Sequence, residues 1–252
     1  MTVLVIHAKH LTERLQHINQ QLKDWPGEIA YILDLDKDEL TPEILAQYIK
    51  PGSELDKIMG HTSCAIKHFL ASQYIIDHQL EGALILEDDI VLHPHFVRDF
   101  QKTMEEYQRN YSDRPVIISY EDSSLQFIPR SQRVNGQWLY KAPKGRVRFT
   151  GALYVNQKAA QVIINDVKTN KCDRAIDHYQ MKLYHSGLLD YLWCEPCIAT
   201  QGSFCGLFSS SIGKILKFEG FRWRFKYYYR RLLYWFRSQS ASVLVSHAPC
   251  RQ

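Results

Sequence analysis

Residues 83 to 89 read Ala-Leu-Ile-Leu-Glu-Asp-Asp, an apolar run of strand length that stops at three consecutive carboxylates. A second apolar run, Ile90-Val91-Leu92, follows at once. Runs of the same buried type recur at 3–7, 28–34, 116–119, 151–155 and 188–194. Between them lie helical patterns at 10–24, 58–78, 94–110, 157–167 and 173–184, and a short helix with Thr41 as its cap and Pro42 in its first turn. Strands alternating with helices predict an α/β fold, a mostly parallel central sheet flanked by helices on both faces. Residues 121–148 read as irregular, with Gly136 and Gly145 marking turns.

Three like charges at a strand tip repel one another, so a cation or a cationic substrate group is expected to offset them. In open α/β sheets, ligands gather beyond the carboxyl ends of the strands. His7 to Lys9, Asp34 to Asp38 and Glu87 to Asp89 all fall at such ends, so three segments are expected to converge on one rim. A Glu-x-Asp or Asp-Asp pair there can hold Mg or Mn while leaving coordination positions for a diphosphate.

Composition narrows the class. A chain of 252 residues with 45% apolar and 23% charged residues, and only 12 Gly and 9 Pro, can bury a full α/β core. The opening Met-Thr-Val-Leu-Val-Ile-His reads as a first strand and not as a leader, and no apolar run approaches the roughly 20 residues that span a bilayer. Six cysteines are then expected to be reduced thiols in a cytoplasmic protein.

Net charge is +4, yet residues 214–237 hold eight Lys or Arg against one Glu, so the remainder of the chain is net negative. Wound at about 100° per residue, Phe221, Phe225, Tyr228, Leu232 and Trp235 share one face, and Arg222, Lys226, Arg230 and Arg237 fall opposite. That pattern predicts a helix lying on an anionic membrane surface. Docking on the catalytic domain and nucleic-acid binding are the alternatives. The expected division is therefore a domain over 1–213 and a basic aromatic segment over 214–252.

Several motifs together resemble bacterial glycosyltransferase family 25, the lipooligosaccharide biosynthesis transferases. They are Leu86-Glu87-Asp88-Asp89; Gly60-His61-Thr62-Ser63-Cys64-Ala65-Ile66-Lys67-His68; Thr150-Gly151-Ala152-Leu153-Tyr154-Val155 with Ala159-Ala160; Ala175-Ile176-Asp177-His178-Tyr179; and Glu195-Pro196 through Gln201. The resemblance implies a GT-A-type nucleotide-diphospho-sugar fold, a UDP-sugar donor, a divalent metal (Mn or Mg) and inversion at the anomeric carbon. It also implies an oligosaccharide acceptor, here expected to be lipid-linked and met at the inner face of the cytoplasmic membrane, with galactose or glucose as the hexose. No nucleic-acid partner is expected. Where the family's opening usually reads Ile-Asn-Leu with a downstream Arg, this chain has Ile6-His7-Ala8 and Arg14.

Under that resemblance Glu87, Asp89 and His178 are the expected metal ligands. His7, Arg14, Asp34, Ser63, His68, Glu87 and Asp88 are expected to face the donor. Asp177 is the expected catalytic base, because an inverting transfer needs a carboxylate away from the metal corner, and the start of a helix favours its ionised form. Asp173 one turn earlier is the candidate cap of the same helix. Tyr31 to Asp38 also resembles the Asp-x-Asp strand end of haloacid-dehalogenase-like phosphohydrolases, which would make Asp34 a nucleophile. Cys194 and Cys197, with Cys172, Cys205 and His247, leave a zinc reading open.

Overall fold

The structure, a computed structural model, describes residues 1–57, 59–205, 207 and 208, together with Phe225, Tyr228, Tyr229 and Leu232. A seven-stranded sheet forms its centre. The strands are β1 (Thr2–Ile6), β2 (Ile29–Ile32), β3 (Gly82–Glu87), β5 (Val116–Ser119), β6 (Leu139–Lys141), β7 (Ala152–Asn156) and β8 (Asp190–Cys194), and they lie in the order β2-β1-β3-β7-β5-β8-β6. β1 pairs in parallel with β2 and β3, and β5 with β8; β7 and β6 run against their neighbours. The α/β architecture expected from the sequence is the one observed.

Period-two alternation explains the two-sided core. Leu4 and Ile6 of β1 and Ile85 of β3 join α3 (Met59–Asp77), α5 (Gln157–Asn170) and α6 (Ile176–His185) on one face, through Phe69, Ile163 and Tyr179. Val3, Val5, Leu84 and Leu86 turn to the other face. There they meet α1 (Thr12–Leu22) through Ile18, and α4 (Phe96–Asn110) through Phe100 and Tyr107. A short α2 (Pro42–Tyr48) starts as expected, with the Thr41 hydroxyl accepting from the Ile44 N–H and Pro42 in the first turn.

Some boundaries differ from the sequence expectations. The second strand ends at Ile32, before its acids. The stretch read as irregular contains β6, an edge strand of three residues. β4 (Ile90–Leu92) pairs antiparallel with β9 (Ala199–Gln201), which leads into the short α7 (Gly202–Cys205). The helix expected from residue 173 starts at Ile176, so Asp173 is not its cap; Asp173 instead pairs with Arg174, which holds its carboxyl down at about 2.

Cys64, Cys172, Cys194, Cys197 and Cys205 are free thiols. The Cys194 and Cys197 thiols donate to the Pro196 and Cys194 carbonyls, and among the described residues they form no metal-binding group. No described helix is long and apolar enough to cross a membrane. The expected tail helix lies outside the described residues except for Phe225, Tyr228, Tyr229 and Leu232, which are helical and exposed.

Candidate active site

Alternation also decides where the three acids go. Glu87 is the last paired residue of β3, opposite Ile6, and follows Ile85 onto the α3 face. Its Oε1 accepts from the Thr150 hydroxyl at 2.9 Å and stands 3.4 Å from His68 Nε2 and 3.9 Å from Cys64 Sγ. Its Oε2 accepts from Gln201 Nε2 at 3.0 Å.

Asp88 turns to the α1 face. His7 Nδ1 lies 2.8 Å from its Oδ2, and Arg14 donates to Oδ1 at 3.0 Å. The carboxylate is thus bound from both sides, fastening the ends of β1 and β3 to α1. His7 itself is buried, and its Nε2 has no partner among the described residues.

Asp89 turns under β9 and α7. Its Oδ2 accepts from the Ser203 N–H at 3.1 Å, and its carbonyl accepts from the Gly202 N–H at 2.7 Å. Among the described residues nothing bonds to its Oδ1, although the side chain is buried. Burial, the Glu87 charge and, more weakly, Asp88 push its carboxyl up to about 6, against the pull of Arg14. An unpaired, buried carboxylate oxygen in the field of a second carboxylate is what a divalent cation would satisfy, so Asp89 offers one fitting donor to the metal that the resemblance implied.

Two glycines make these approaches possible. A Cβ at Gly151 would lie 2.6 Å from Gln201 Cγ, and one at Gly202 would lie 2.7 Å from the Asp89 carbonyl oxygen. Either would push Gln201 or α7 off the acids.

Asp177 lies in the first turn of α6, partly buried, with its Oδ1 accepting the His178 N–H at 2.8 Å. The helix start does not dominate its ionisation as expected. Burial pushes the carboxyl up, the His178 contacts oppose this, and the Glu87 charge adds to the rise. The fields of Asp177 and Glu87 both act on Cys64, whose thiol burial already raises well above its ordinary value. The charge of Asp177 is therefore felt at Cys64, beside Glu87. His178 is exposed and outside the one potential metal-binding group among the described residues, which is Cys64, His68 and Glu87.

The Ser63 hydroxyl donates to the Leu35 carbonyl at 2.7 Å, and Asp34 is exposed. Arg14 also lines a cleft of about 520 Å³ whose other charged residues are Glu13 and Lys37, with His10 and Phe208 beside them.

Sequence reading missed four participants. Lys67 is buried and donates to the carbonyls of His7 at 2.6 Å and Leu33 at 2.9 Å, with Asp36 Oδ1 2.7 Å away. It ties the ends of β1 and β2 to α3. Although burial alone would raise the Asp36 carboxyl, Lys67 and the Lys9 N–H hold it below its ordinary value. Thr150 and Gln201 were noted as motif letters, without a role. Glu121 is fully buried, and burial with Asp122 and Glu87 nearby pushes its carboxyl up to about 8, against the pull of the Ser123 hydroxyl. Its only sequence signal was an acid just past a strand end.

Residues 1–180 match the family model described as glycosyltransferase family 25 (LPS biosynthesis protein). The chain belongs to glycosyltransferase family 25. Membership sets aside the phosphohydrolase reading, consistent with an Asp36 already engaged by Lys67. None of the curated proteins matches the chain. Among solved structures, a glycosyltransferase involved in glycosylation of the major capsid of PBCV-1 is similar at 11% identity and a TM-score of 0.41, over 79% of this chain and 92% of that one. Mouse xyloside xylosyltransferase 1 in its apo form is similar at 13% identity and a TM-score of 0.36, over 75% and 71%. The inositol-1-phosphate CTP transferase from T. maritima is similar at 10% identity and a TM-score of 0.35, over 79% and 69%. At these scores the structural likenesses carry no argument, and the assignment to this family of sugar transferases rests on the family match.

Proposed function

We propose that this glycosyltransferase moves a hexose, galactose or glucose, from a UDP-sugar to the oligosaccharide of a lipid-anchored acceptor in lipooligosaccharide or LPS biosynthesis, with inversion at the anomeric carbon. One observation carries the reading: among the described residues, Asp89 keeps a buried carboxylate oxygen without a hydrogen-bond partner at the tip of β3.

Asp89 would hold a divalent Mn or Mg ion, with Glu87 beside it. Such an ion, when bound, supplies positive charge to a departing diphosphate. The nucleotide would lie in the 520 Å³ cleft, where Lys37 and Arg14, the latter paired with Asp88, stand with Glu13 among the lining residues. Asp177 takes the proton of the acceptor hydroxyl as that oxygen bonds to the anomeric carbon; the bond from that carbon to the diphosphate oxygen breaks, and UDP leaves with the electron pair. A carboxyl raised by burial is a better base than a solvated one, provided it is ionised at working pH.

The test is a donor panel read by thermal unfolding. A true donor binding only the folded state at about 100 times its Kd adds roughly 2.7 kcal/mol. One UDP-hexose should raise Tm only when Mn or Mg is present, and the same compound should be slowly hydrolysed. No response to any UDP-sugar sinks the reading. Asp177→Asn should retain that Tm response and lose about 100-fold in kcat; an unchanged kcat removes Asp177 from the role of base.

The membrane assignment is supported by the exposure of Phe225, Tyr228 and Leu232, apolar groups on the predicted stripe of a strongly basic segment. The full chain should float with liposomes rich in anionic lipid, and a chain ending at Gly213 should stay in the soluble fraction. Equal partitioning of the two would assign the tail another role.

A further inference from the structure

We propose that Cys64, His68 and Glu87 form a second cation site, selective for a borderline ion of the zinc class and separate from the hard ion at Asp89. Cys64 and His68 are one helical turn apart on α3, so their side chains share a face. Strand alternation delivers Glu87 to that same face from β3. The three donor atoms, a sulfur, an imidazole nitrogen and a carboxylate oxygen, lie within 4.8 Å of one another.

The separations argue for an ion rather than for hydrogen bonds. His68 Nε2 is 3.4 Å and Cys64 Sγ 3.9 Å from Glu87 Oε1, both long for direct bonding. Donors placed about 2.0–2.3 Å from a tetrahedral ion stand roughly 3.3–3.8 Å apart, a range that the two Glu87 pairs approach, while the three donors together need a contraction from within 4.8 Å.

The surroundings support the same conclusion. Thr150 Oγ1 and Gln201 Nε2 hold the Glu87 carboxylate in orientation, as outer partners do at metal centres. Cys64 is the least buried of the three residues. Three protein ligands leave the fourth position to water or a ligand. Thiolate and imidazole favour zinc or cobalt over magnesium and calcium.

The site divides two residues that the sequence had assigned to one ion. Glu87 serves α3, and Asp89, with its unpaired oxygen, serves the diphosphate. An ion at the first site would fasten α3 to the tip of β3, independently of which donor sugar is used.

The test is a titration of the reduced full-length protein with Co2+, which reports thiolate ligation through a near-ultraviolet charge-transfer band and tetrahedral geometry through visible bands. One equivalent should bind with both signatures and be displaced by Zn2+, with Mg2+ having no effect. Cys64→Ser should abolish the charge-transfer band and weaken Zn2+ binding at least about tenfold; Asp89→Ala should keep both. A silent wild-type titration, a band that survives in Cys64→Ser, or one that disappears in Asp89→Ala overturns the proposal. A measurement without substitution gives a second decision: Zn2+ should slow alkylation of Cys64, followed by mass spectrometry, at least about tenfold, and an unchanged rate overturns the site.

Discussion

Asp89→Asn is expected to abolish sugar transfer, by about 1,000-fold, and at the same time to stabilise the metal-free protein at pH 7.5. The loss follows from removing the charge that would hold the divalent ion, worth several kcal/mol in the transition state. The gain follows from the cost of keeping that charge buried. Asp89 is raised from 3.8 to about 6 by burial and by Glu87, so the folded protein holds this proton more tightly than the unfolded chain does. For such an acid the unfavourable contribution grows as pH rises from about 4 to about 6 and is constant above that. A shift of about 2 units corresponds to roughly 3 kcal/mol. Asn keeps an oxygen for the Ser203 N–H and carries no charge. Its advantage in thermal unfolding should therefore be full at pH 7.5, shrink through pH 6 to 4 and vanish below. A variant less stable than wild type at pH 7.5 would show that Asp89 is not strained by its neighbours. The same titration sets the ion's pH range, because below about pH 6 the proton competes for the site and Mn affinity should fall.

The acids were legible because a strand tip is a local feature: burial of Ala83 to Leu86 and the sudden change to charge are both written in consecutive letters. Their separate partners were not. Glu87 and Asp88 go to opposite faces because of strand alternation, which the sequence does contain, but the partners come from α3 and α1, 19 and 74 positions away. Lys67 was overlooked for a related reason. A lysine in a helix is usually solvated, and its burial arises only when the carbonyl ends of β1 and β2 and the Asp36 carboxylate arrive beside it. The β4–β9 pair joins two three-residue strands more than a hundred positions apart, too short for periodicity to register. Asp177 was placed correctly near a helix start, yet the position of that start was read three residues early, and its environment was read as dipole when burial governs it.

Arg148→Ala should cost about 3–5 kcal/mol, enough to leave much of the population unfolded, although Arg148 touches none of the three acids. Its guanidinium is fully buried, 4.3 Å from the Trp193 ring centroid. It donates to the Gln126 carbonyl at 3.0 Å, the Cys194 carbonyl at 3.1 Å and Glu195 Oε1 at 2.5 Å. Glu195 also accepts the Ile128 N–H at 2.9 Å and faces Arg133 at 2.7 Å. One cation thus joins the 121–148 segment to the end of β8, and two residues later Thr150 reaches Glu87. Removing it leaves Glu195 buried with half its compensation, and burial already raises that carboxyl. Arg148→Lys should lose nearly as much, since a single ammonium cannot span three acceptors and an aromatic face. Adding Glu195→Gln to Arg148→Ala should recover part of the loss, because the stranded charge is then gone. Urea midpoints at constant m-value give the comparison. A loss below about 1 kcal/mol in Arg148→Ala, or a double variant weaker than the single one, would mean that the segment is held by its apolar contacts alone, and that Thr150 needs no ionic support to orient Glu87.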